Sequence, residues 1–168
     1  MTLFSMLLVF HIIAGAICLI CGTISVFARK KKGVHTLAGE VYHGSYVAVA
    51  VTALAMSVMK WSELAFLFFI ALFSYAFALY GYLARKRQKQ HWLKHHINGM
   101  LGSYIGVITA VLVVNGEAVS KWIGIPSWLL WFLPTIIGSP LIRMTIARHG
   151  LGASKRENRQ STPNGRKP

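Results

Sequence analysis

LFSMLLVFHIIAGAICLICGTISVF, residues Leu3–Phe27, is followed at once by ARKKKG, residues Ala28–Gly33, and this junction decides the class of the protein. Its apolar part holds no Asp, Glu, Lys or Arg. About 20 such residues are enough for a helix to cross the hydrocarbon core of a bilayer. The basic cluster then stops the segment, and Lys and Arg collect on the cytoplasmic side of membranes. The segment therefore reads as a retained anchor with its N-terminus outside. It has no basic residue ahead of the apolar run and is longer than the core of a cleavable signal.

Working outward, four more apolar blocks follow. Helices are expected from about Val34–Leu37 to Met59, over Leu64–Ala84, over His95–Val114 and over Pro126–Ala147. Trp61, Ser62 and Glu63 read as a tight outer turn, and Asn115–Ile125 as an outer loop holding Glu117, Lys121 and Trp122. Pro134 and Pro140 should kink the last helix, a feature that membrane helices tolerate when neighbours satisfy the freed carbonyls. The fold expected is an all-α polytopic membrane bundle of about five transmembrane helices spanning 1–149, with the C-terminus in the cytoplasm. Residues 150–168 are polar and basic without apolar periodicity, and read as a disordered cytoplasmic tail.

Charge agrees with this topology. The chain of 168 residues has 18 Lys and Arg against four acidic residues, a formal net charge of +14. Four basic residues lie in the first loop, five in Arg85–Lys94 and seven from Arg143 onward; only Lys60 and Lys121 lie elsewhere. That clustering follows the positive-inside rule rather than forming a basic stripe on a soluble domain, so nucleic acid is excluded as a partner. The bilayer is the expected partner and the bacterial inner membrane the expected location. Small-residue helix faces would serve other membrane subunits or a homo-oligomer.

Ionisable residues inside a membrane are costly, which makes each one a functional candidate. His11, Gly15, Cys18 and Gly22 form one stripe of the first helix, and His95, Gly99, Gly102 and Gly106 repeat the spacing in the fourth. Such a stripe either lets helices approach closely or makes room for a flat ligand such as haem. His11 lies toward the outer side, and His95 and His96 at the inner edge. Upright helices would hold them roughly 20 Å apart, too far to share one metal. An iron or metal site must then come from the inner set of His35, His43, His91, His95 and His96, with His35 and His96 at similar depth. His91 and His95 are spaced to chelate if the helix extends back that far. Glu40 and His43 make one Glu-x-x-His pair, but a di-iron bundle needs two pairs and further carboxylates. Glu40 is free instead to orient a histidine or to offset the basic loops. Cys18 and Cys21 have CxxC spacing deep in an apolar helix, a poor place for thiol exchange.

Three segments, HIIAG at His11–Gly15, KGVHTLAGEVY at Lys32–Tyr42 and HINGMLGSY at His96–Tyr104, resemble a family of uncharacterised bacterial multi-pass membrane proteins known as a domain of unknown function. The resemblance carries over to His11, Gly15, His35, Gly39, Tyr42, His96, Met100, Ser103 and Tyr104. The family pattern has more Arg around its third histidine, where this chain has Asn98 and Gly102. The resemblance implies no activity. A looser similarity, of a histidine-bearing helical bundle to membrane b-type cytochromes, exists only at the level of fold.

Three functional readings stay open. The first is a structural, assembly or regulatory membrane subunit without a cofactor. The second is a protein binding haem b or a transition metal through His96, His35, His43, His95 or His11, with electron transfer as its role. The third is a small transporter or proton relay. Neither a catalytic residue nor a bare-metal ligand set can be assigned from the sequence.

Overall fold

The computed structural model describes residues 2–30 and 33–151. The expected disordered tail at 150–168 therefore lies almost wholly outside the described residues. All regular structure among them is helical: α1 Leu3–Phe27, α2 Val34–Met59, α3 Trp61–Arg87, α4 Trp92–Val114, α5 Gly116–Ile123 and α6 Ser127–Arg148. Five of these, all but α5, are long and apolar enough to cross a membrane.

Each long helix packs mainly on its neighbour in sequence: α1 on α2, α2 on α3 and α3 on α4. α6 packs on α4, and α1 touches α4 only lightly, so α4 is the element that joins the bundle. Most of what is buried is small or polar, with Met56, Ile97, Val107 and Leu130 the larger apolar exceptions. Ala14, Cys18, Ala38, Tyr42, Tyr46, Ala78 and Ser103 face inward, while Phe27, Leu37, Phe73 and Ile136 are more than half exposed. This is the arrangement of a chain whose solvent is lipid: tails satisfy the large apolar side chains, and helices associate through small residues and hydrogen bonds.

The α4 stripe shows that packing directly. A side chain on Gly81 would meet the Met100 backbone nitrogen at 2.6 Å, and one on Gly99 would run into the Gly81 backbone. Gly102 faces the Phe77 ring and Gly106 faces Ser74. The stripe is thus consumed by contact with α3 inside the chain. On α1, Cys18 and Gly22 are buried, whereas a side chain on Gly15 would meet nothing within 4 Å.

Several boundaries differ from expectation. The basic loop read at Arg85–Lys94 shrinks to Gln88–His91, since α3 runs on to Arg87 and α4 begins at Trp92. Trp61–Glu63 belong to α3, and the turn before it shrinks to Lys60; Glu63 and Leu64 donate their backbone N–H groups to the Lys60 carbonyl at 3.1 and 2.9 Å. Glu63 suits the first turn of a helix, where the dipole is positive, and it pairs with Lys60 at 3.4 Å. The outer loop contains α5, whose Glu117 and Lys121 stand at the ends the dipole favours. At eight residues it is too short to show as a periodic apolar block. Its Trp122 is 88% exposed, in keeping with the interfacial place of that residue type.

Candidate functional site

The loops joining α1 to α2 and α3 to α4, with the end of α6, form one basic end of the bundle. A cavity of about 770 Å³ opens there. Every long helix contributes to its walls: Gly22 and Ser25 from α1, His35, Gly39 and Tyr42 from α2, Tyr82 and Arg85 from α3, His96, Met100 and Tyr104 from α4, and Thr145 from α6.

His35 and His96 line this same cavity. The Nδ1 of His35 lies 3.0 Å from the carbonyl oxygen of Ser25, and that of His96 lies 2.9 Å from the carbonyl oxygen of Gly81. A carbonyl only accepts, so each Nδ1 carries the proton and donates it. In the neutral ring, Nε2 is then the nitrogen with the free lone pair. A backbone carbonyl holding one ring nitrogen is also how metal-ligating histidines are oriented. His96 owes its partner to the close α3·α4 contact, since Gly81 itself meets Gly99 there. His35 reaches back across the loop to the last turns of α1.

The other histidines go elsewhere. His95 turns to α3, where its ring hydrogen-bonds the Tyr80 hydroxyl outside the cavity wall. His43 stacks face to face on Tyr82, with ring centroids 3.9 Å apart and planes 2° from parallel. Its Nδ1 is buried without a hydrogen-bond partner among the described residues. His91 is the left-handed residue before α4, with φ 59°, so it falls outside the helical register that would align it with His95. His11 pairs with Thr52 at 2.9 Å. Thr52 stands seventeen residues along α2 from His35, about 25 Å for a helix. His11 therefore belongs to the opposite end of the bundle. Among the described residues no three His, Cys, Asp or Glu side chains converge on a point that could hold a metal ion.

Polar tyrosines seal the cavity floor. The Tyr42 hydroxyl and Ser103 Oγ are 2.8 Å apart, and Ser103 Oγ donates to the Met100 carbonyl at 2.8 Å. The Tyr46 hydroxyl donates to the Ser103 carbonyl at 3.2 Å. Tyr104 spans to α1, where its hydroxyl lies 2.7 Å from Thr23 Oγ1 and its ring fills the space beside Gly22.

The rim is positive. Glu40, its one carboxylate among the described residues, accepts from Lys86 at 2.8 Å and from the Tyr82 hydroxyl at 2.9 Å. It offsets the basic loops rather than orienting a histidine. Lys30 donates to the carbonyls of Ser25 and Val26, both at 2.7 Å, closing the C-terminus of α1. Burial holds the Lys30 ammonium below the ordinary lysine range. The Arg85 guanidinium lies over the Trp92 ring at 5.2 Å.

Six of the nine residues marked by the family resemblance line the cavity: His35, Gly39, Tyr42, His96, Met100 and Tyr104. Ser103 supports the floor, while His11 and Gly15 take no part. Sequence reasoning passed over Ser25, Lys30, Tyr82 and Arg85 as site residues. One signal was available for Ser25: it continues the His11–Gly15–Cys18–Gly22 stripe by a further turn.

Residues 8–143 match the family described as predicted membrane protein (DUF2306), and the chain belongs to that family. No curated protein and no solved structure matches it. With its five apolar spans, it is a multi-pass membrane protein embedded in a lipid bilayer.

Proposed function

We propose that this DUF2306 protein holds a haem b in the cavity at its basic end, where His35 and His96 would hold its iron, and serves in electron transfer. One observation carries the reading: two histidines from different helices line one cavity, each with Nδ1 fixed on a backbone carbonyl and Nε2 left basic. The ligand count favours haem over a bare ion. A transition-metal ion needs three or four protein ligands, and no such set converges among the described residues. A porphyrin brings four nitrogens of its own and needs one or two from the protein.

The rest of the cavity suits the same guest. Gly39 leaves room in the wall, since a side chain there would meet only Ser25 Oγ, at 3.9 Å. Ile97 and Met100 add apolar wall, and the cationic rim suits a cofactor with acidic side chains. A haem held there would supply one-electron chemistry. The residues of the chain orient the imidazoles and set the charge around the site. The basic end is read as facing the cytoplasm of a bacterial inner membrane, because Lys and Arg are retained on that side.

The test is spectroscopic. The full chain, purified in detergent with haem supplied during expression, is expected to show a Soret band, with α and β bands on reduction. His35→Ala and His96→Ala should each remove the low-spin spectrum. His95→Ala, His43→Ala and His11→Ala should keep it. A colourless protein that also leaves the spectrum of added haem unchanged would overturn the reading.

A further inference from the structure

The cavity mouth carries more positive charge, and more unused hydrogen-bonding capacity, than the fold itself requires. Lys86 is matched by Glu40, but among the described residues neither Lys30 nor Arg85 has a carboxylate within salt-bridge distance. Lys30 spends two of its donors on α1 carbonyls, which leaves one of the three an ammonium has. Arg85 rests on Trp92, a contact that holds the guanidinium plane without using its N–H fork.

Ser25 adds an independent sign. Ser25 lines the cavity, and its hydroxyl is buried with no hydrogen-bond partner among the described residues. Buried polar atoms are nearly always satisfied, so an orphan hydroxyl in a cavity wall marks a place where a guest atom belongs. The backbone points the same way. α2 and α4 both begin at this mouth, and neither N-terminus receives a side-chain cap. Their free N–H groups and positive dipole ends add to the field felt there.

We propose that Ser25, Lys30 and Arg85 form an anion seat at the mouth of the cavity, which takes the carboxylate end of an amphiphile whose apolar body lies over Ile97 and Met100. In the haem reading, on which the choice of guest rests, the seated group is a propionate. The same chemistry would seat the head of a long-chain fatty acid from the adjacent leaflet. Arg85 is the main anchor, because Lys30 is partly committed to the end of α1. The Ser25 hydroxyl donates the short bond that its burial now leaves unmade.

The acid and its ester differ by the charge the seat is meant to read, so the comparison can be made on the unaltered protein. Full-length protein in neutral detergent is titrated with haem b and with haem b dimethyl ester, following the Soret shift. It is titrated separately with a fluorescent long-chain fatty acid and its methyl ester. The seat predicts tighter binding of the acid than of its ester by roughly ten- to a hundredfold, the range for one or two charge-assisted hydrogen bonds. Arg85→Gln and Ser25→Ala should each shrink the ratio of acid to ester affinity. If haem binds in preference to its ester and the fatty acid does not bind, the guest is the cofactor; if haem does not bind and the fatty acid is preferred to its ester, the seat stands and the haem reading fails. Equal affinity for acid and ester in both pairs, or no binding of any of the four, overturns the seat.

Discussion

At the scale of single residues, buried hydrogen bonds decide what can be changed. Tyr42, Ser103 and Tyr46 form a closed polar knot under the cavity, with Tyr42 only 2% exposed. Tyr42→Phe removes one bond but leaves Ser103 Oγ donating to Met100. Ser103→Ala strands the buried Tyr42 hydroxyl, and leaving a polar group unpaired costs more than deleting the pair. Ser103→Ala is therefore expected to lower stability by roughly 1–2 kcal/mol, and Tyr42→Phe by about half of that, within the range for side-chain bonds in membrane bundles. Reversible unfolding in mixed micelles measures both. Part of this was legible in the chain: the family resemblance marks Tyr42 and Ser103, and the depth argument sets His35 level with His96. Tyr46, Tyr82 and Arg85 were not legible as site residues, because nothing in one sequence tells which face of α2 or α3 turns toward α4.

At the scale of elements, glycines set the distances. The α3·α4 pair meets backbone to backbone at Gly81 and Gly99, so an added methyl group has no flexible side chain to push aside. Gly99→Ala is expected to cost roughly 1–3 kcal/mol, the range for overpacking a close contact. Gly15→Ala, with nothing within 4 Å of the new atom, should be neutral or stabilising by up to about 1 kcal/mol through helix propensity. Thermal unfolding of the two variants side by side measures the contrast. The sequence shows two glycine stripes of equal spacing and cannot tell them apart. Only the α4 stripe is spent along its length on one partner, while α1 uses its stripe in part. α5 was missed because amphipathic helices of two turns look like polar loops when composition is read in long windows.

At the scale of the whole molecule, the apolar blocks were enough to give five spanning helices, and the ends of α1 and α2 match to within a residue or so. Position along the membrane normal was legible because helical rise is fixed. Position around the bundle was not. That α6 lies against α4 and brings Thr145 to the cavity depends on side-chain packing between segments far apart in sequence. Orientation is open to a direct experiment. With Cys18 and Cys21 replaced by Ala, a single cysteine in place of Ser120 should react with an impermeant maleimide in intact cells. One in place of Gln90 should react only after the membrane is opened. The reverse pattern would put the basic end, and with it the cavity mouth, outside.

The meeting of Gly81 and Gly99 has a genetic consequence. The carbonyl that holds His96 belongs to Gly81, one of the two residues that set the spacing of α3 and α4. In an unbiased screen, alleles of Gly99 should sort with alleles of His96, although Gly99 is no part of the cavity wall. Suppressors of Gly99→Ala would be sought along the seam of α3 and α4, where the Phe77 ring faces Gly102 and Ser74 faces Gly106, and not among the residues around the cavity.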